Sequence, residues 1–106
     1  MAEENAPEEE KKSPEQTLLE ETEKWLHRLQ EEMKTFKVTG KLDKDRVKNM
    51  LENINAYIQD TQHFLDQNDY VRSFEAIVYA WGIYETMLSL KAIENPEGKH
   101  SKDKRD

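Results

Sequence analysis

No cysteine occurs among the 106 residues, so the chain can build neither a disulfide framework nor a thiolate metal site, and it has no redox role. Packing alone must hold any core. Glycine is scarce as well, and Gly40, Gly82 and Gly98 are isolated from one another. No G-x-S-x-G, phosphate-binding loop or paired zinc motif can be assembled from them. Long apolar runs are missing: none approaches the roughly 20 residues that cross a bilayer. The opening MAEENAPEEEKK is acidic where a signal peptide is basic and then apolar. A soluble cytoplasmic protein without membrane contact is the expectation. Positive charge is in deficit too, since the net charge is −7 with 37% of residues charged. That balance opposes phosphate backbones and anionic membranes over the surface as a whole, although local patches can escape it.

What is present is helical periodicity on a chain long enough for one domain. Residues 1–13 carry five glutamates and no large apolar residue after Met1, so they read as a disordered acidic tail. Ser13, Pro14 and Gln16 form a strong start signal: a cap, a proline at the first helical position, and a capping-box partner. Leu18, Thr22, Trp25, Leu29, Met33 and Phe36 then recur at spacings of three and four, predicting a helix over 14–37. Glu20 with Lys24 and Arg28 with Glu32 are spaced to pair on its wet faces. Gly40 breaks the pattern, and Asp43 caps a second helix over 43–67 whose apolar arc runs from Val47 through Ile54 and Ile58 to Leu65. Asn68 or Asp69 caps a third over 69–93. Pro96 and Gly98 stop it, leaving 95–106 as a polar, basic disordered tail. Short connections make sequence neighbours antiparallel, so the fold class is all-α, an up-down-up three-helix bundle over 14–94.

The third helix is apolar around most of its circumference. Tyr70, Phe74, Ile77, Trp81, Tyr84 and Leu88 make one stripe, and Ala76, Ala80, Ile83, Met87 and Leu90 a second beside it. Such a helix must be covered on more than one side. Either the other two helices straddle it, or a second subunit or another protein covers Ala76, Tyr79, Gly82, Ile83, Met87 and Leu90. Gly82 sits mid-helix, where it costs about 1 kcal/mol relative to alanine. It marks either a close approach or a tolerated small residue at an exposed site.

The segment from Phe64 to Glu85 holds Asp69, Tyr70, Arg72, Glu75, Ala76, Tyr79, Ala80, Trp81 and Gly82 in the pattern D-Y-x-R-x-x-E-A-x-x-Y-A-W-G. Over about residues 43–90 it resembles an archaeal family of small helical proteins known as domain of unknown function 357. The resemblance implies a three-helix bundle and brings no activity. A likeness to one tetratricopeptide unit is also present, but a lone unit does not make a solenoid.

Residues with catalytic chemistry do not converge. His27 and His63 fall on polar helix faces about 9 Å apart along the axis, and His100 lies in the tail; all three read as solvated. No metal, cofactor or enzyme activity is expected. Charge does have a pattern. Lys34, Lys37, Lys41, Lys44, Arg46, Lys48 and Lys91 gather at one pole, joined by Lys99, Lys102, Lys104 and Arg105 of the tail. Those at the start of the second helix oppose its dipole, so helix stability does not explain them. The expected role is an interaction module for an unknown protein partner or a homodimer, with a nucleic-acid accessory role at the basic pole as the alternative.

Overall fold

The computed structural model describes residues 12–98; the acidic leader before Lys12 and the basic tail from Lys99 onward lie outside them. Helix α1 spans Pro14–Glu32, α2 Lys44–Asp66 and α3 Tyr70–Ser89, with two short strands, β1 Lys37–Val38 and β2 Ile93–Glu94. The all-α three-helix architecture follows from the caps and periodicity. Ser13 Oγ accepts the Gln16 N–H at 3.0 Å. Asp43 accepts the Arg46 N–H at 3.1 Å, and Asp69 accepts the Arg72 N–H at 3.2 Å. Each cap satisfies one donor that the first helical turn would leave unpaired.

The turn between α2 and α3 is as tight as its polar run predicts. Asn68 takes φ 59°, a left-handed conformation that asparagine tolerates better than most residues. The Asn68 and Asp69 N–H groups close back on the Leu65 and Phe64 carbonyls. Asp69 therefore ends one helix closure and caps the next helix.

α3 packs against both α1 and α2, whereas α1 and α2 scarcely touch each other. The core is accordingly built around α3. Ile77, Ala80, Trp81, Tyr84 and Met87 meet Leu26 and Leu29 of α1 and Val47, Ile54 and Ile58 of α2. Trp81 Nε1–H donates to the Trp25 carbonyl at 2.9 Å, and the Trp81 ring meets the Trp25 and Tyr84 rings edge-on. Buried aromatics of this size contribute about 2–3 kcal/mol each, which makes Trp81 the anchor of the α1–α3 seam.

Two helices are shorter than their periodicity predicts. α1 stops at Glu32 and not at 37, because the Lys34 and Thr35 N–H groups close tight turns onto Glu31 and Glu32. α3 stops at Ser89 and not at 93. Leu90 is its C-cap, Lys91 adopts φ 63°, and the Ala92 N–H reaches back to the Met87 carbonyl at 2.9 Å. This is the left-handed helix closure usually built on glycine. The freed segments pair with each other as antiparallel strands, Lys37 opposite Glu94 and Val38 opposite Ile93. Partners so far apart in sequence leave no local periodic signal.

Candidate functional site

The second stripe of α3 does not survive as a partner surface. Ala76, Ala80 and Met87 are buried within the chain, and Ile83 is half-buried against the core. α1 and α2 straddle α3 and take them. What α3 presents outward is a neighbouring face: Arg72, Glu75, Tyr79, Gly82, Thr86 and Ser89, all exposed and spaced at three and four. Tyr79 is 61% exposed, with its ring 5.5 Å from the half-buried Tyr57 ring of α2. A Cβ built on Gly82 meets nothing within 4 Å, so the surface above it is open. Leu90 is 51% exposed at the end of the helix. Of the six residues expected to face a partner, Tyr79, Gly82 and Leu90 face outward, Ile83 does so in part, and Ala76 and Met87 do not.

The residues of the expected basic pole lie just past the end of α1, in β1 and the loop after it, and at the start of α2. Lys34, Lys37, Lys41, Lys44, Arg46 and Lys48 are all exposed. The pairing of β1 with β2 brings Lys91 beside them, with the Thr39 hydroxyl donating to the Lys91 carbonyl at 2.6 Å. Lys34 forms an ion pair with Glu31 at 2.9 Å, and that hydrogen bond lowers the Glu31 carboxyl pKa. Lys37 stands across the ladder from Glu94. The other four have no salt bridge among the described residues. The basic tail that was expected to extend this pole lies outside those residues.

Several charged residues take a different partner from the one their spacing also allowed. Lys24 pairs with Glu21 at 3.3 Å and not with Glu20, which takes Lys12 at 2.6 Å. Arg72 pairs with its own cap, Asp69, at 3.7 Å and not with Glu75. Glu32 is the largest departure. It was placed on a wet face with Arg28, yet it is 4% exposed, while the Arg28 guanidinium lies over the Trp25 ring.

Glu32 anchors a buried polar cluster at the α1–α3 end. The Tyr84 hydroxyl donates to Glu32 Oε1 at 2.6 Å. Asn95 Nδ2 donates to that same oxygen at 3.1 Å, to the Glu32 carbonyl at 2.9 Å and to the Tyr84 oxygen at 2.9 Å. The Thr35 hydroxyl donates to Asn95 Oδ1 at 2.9 Å. Asn95, expected in a disordered tail, is 2% exposed. Burial pushes the Tyr84 phenol pKa well up, and its hydrogen bond to Glu32 adds to the rise. A Cβ on Gly98 would collide with the Glu32 carboxylate, so the chain passes directly over that group. Sequence reasoning missed the cluster. The available signal was the spacing of Glu32 from Thr22, Leu26 and Leu29, which places it on the buried side of α1.

His27 and His63 are exposed, and no three His, Asp or Glu side chains among the described residues converge on a metal-sized site. No helix among them is long and apolar enough to cross a membrane. A shallow groove of about 620 Å³ runs beside the end of α3, lined by residues that include Leu88, Ile93, Pro96, Glu85 and Glu94.

A family model described as a protein of unknown function, DUF357, matches residues 24–93, from the middle of α1 to the first residue of β2. The chain belongs to the DUF357 family. The DUF357 match begins well before residue 43, so it includes half of the helix that the motif itself did not reach. A DUF357 protein of known structure, AF1782 from Archaeoglobus fulgidus, is 35% identical and superimposes with a TM-score of 0.67, covering 78% of this chain and 99% of its own. No curated protein matches. The DUF357 assignment fixes the fold and carries no activity.

Proposed function

We propose that this DUF357 chain is a small non-catalytic interaction module that binds a second copy of itself or another protein through the outward face of α3. The observation that carries the reading is Tyr79, an exposed aromatic whose ring lies tilted against that of Tyr57, one helical turn from the open surface at Gly82. Exposed aromatic side chains beside open surface are the residue class that anchors protein interfaces. Ile83 and Leu90 extend the apolar contact, and Arg72 and Glu75 supply a polar border.

Gly82→Arg is the clean probe. Its side chain enters open space, so the fold is expected to persist, and its bulk and charge fill the surface beside Tyr79. Sedimentation of the wild type over a concentration series, with pull-down where it is monomeric, is expected to show association that Gly82→Arg and Tyr79→Ala both abolish. Association unaffected by both variants would refute the reading.

A second reading rests on Lys41, Lys44, Arg46 and Lys48, which are exposed without ion-pair partners among the described residues. Under it the pole contacts RNA or DNA, and its signature is affinity that falls steeply with salt.

A further inference from the structure

The chain after α3 is held by distant residues against its local preference. Leu90, Lys91 and Ala92 are good helix formers, no glycine or proline intervenes before Pro96, and the apolar pattern runs on to Ile93. The helix nevertheless closes at Leu90, and Lys91, which carries a Cβ, takes the left-handed φ of 63°. What keeps it there lies elsewhere in the chain. Ala92 and Ile93 are buried in the hydrophobic cluster that includes Leu29 and Met87. The Thr39 N–H and hydroxyl both bond the Ala92 carbonyl. Asn95 is locked into the Glu32–Tyr84–Thr35 cluster by its amide, and Gly98 closes over the Glu32 carboxylate.

We propose that residues 90–98 form a switchable strap with two arrangements. In one, seen here, it is docked with Asn95 as the latch. In the other it is released, and α3 runs on through Leu90–Ile93. Release uncovers the apolar site that Ala92 and Ile93 fill and frees the Lys37–Val38 strand edge. The proposal is independent of the Tyr79 face. Local helix preference and non-local packing oppose each other within one segment, which is the condition for a bistable element. The latch is polar and geometric: an amide donor facing a carboxylate and a phenol, each group bonded to the other two.

Amide hydrogen exchange with carbon chemical shifts tests this on the full chain. The Thr39 amide, bonded to the Ala92 carbonyl, reports docking of the strap, because the Ala92 amide finds a carbonyl of α3 in either arrangement; the Ala80 amide reports the core. In the wild type the Thr39 amide is expected to exchange at least about tenfold faster than Ala80. Asn95→Asp keeps the shape but replaces the amide donor with an acceptor beside Glu32. It is expected to raise strap exchange by a further tenfold or so with Ala80 unchanged, and to move the Leu90–Ile93 shifts toward helix. Combining Asn95→Asp with Glu32→Gln restores the side-chain donor–acceptor pair but not the bond to the Glu32 main-chain carbonyl, and is expected to restore part of the protection. Lys91→Gly, which relieves the left-handed turn, is expected to slow strap exchange. Strap and core amides exchanging together in every variant would overturn the proposal, as would release into coil without helical shifts or a double variant that restores none of the protection.

Discussion

Tyr84 ties the interior to pH. Its phenol pKa is raised above the ordinary 10.0 by burial first and by the Glu32 hydrogen bond second, so the folded state holds this proton more tightly than the unfolded chain. The associated stabilisation is complete below pH about 10. Above that the unfolded chain releases the proton while the folded one keeps it, and stability declines toward the folded-state value. Chemical denaturation of the wild type and of Tyr84→Phe between pH 8 and 11 is expected to show a steeper alkaline loss in the wild type. At neutral pH the variant is expected to be weaker by about 1–3 kcal/mol, because Glu32 loses a buried donor. Gly98→Ala forces a methyl group onto the Glu32 carboxylate and is expected to cost about 1–3 kcal/mol in the same assay. Little of this cluster was legible in the sequence. Glu32 obeys both the spacing of a surface pair with Arg28 and that of the buried side of α1 with Thr22, Leu26 and Leu29, and its partners Tyr84 and Asn95, distant in sequence, decide between them.

The helices themselves were legible because their signals are local. Ser13, Asp43 and Asp69 cap as their residue types require, and the apolar arc of α2 is the one buried. The ends were not legible where a distant segment supplied the reason, as in the early stops of α1 and α3 that feed the β1–β2 pair. Gly82 belongs to this scale. Its position is exposed and helical with open space above, so Gly82→Ala adds helix propensity without a clash and is expected to stabilise the chain by about 0.5–1 kcal/mol in thermal or urea denaturation. A destabilised variant would mean that something within the chain approaches that residue.

Over the whole molecule, the question raised by an over-apolar third helix resolves into position. α3 is the internal helix, flanked on two sides by α1 and α2, and its excess apolar surface is spent mostly on them. The overall negative charge leaves the lysine-rich pole as a local exception. Fluorescence anisotropy with single-stranded RNA is therefore expected to show no appreciable binding even at low salt, and strong salt-dependent affinity would move the function to that pole.

The absence of cysteine allows the arrangement of α3 to be read directly. Single replacements Ala76→Cys, Tyr79→Cys, Gly82→Cys and Met87→Cys can be compared for the rate at which a thiol reagent labels each folded chain at low protein concentration. Labelling at 79 and 82 should be fast and at 76 and 87 slower by orders of magnitude, with protection of 79 and 82 appearing only as protein or partner concentration rises. Equal rates at all four positions, or fast labelling at 76 and 87, would contradict the placement of α3 and the surface assigned to it.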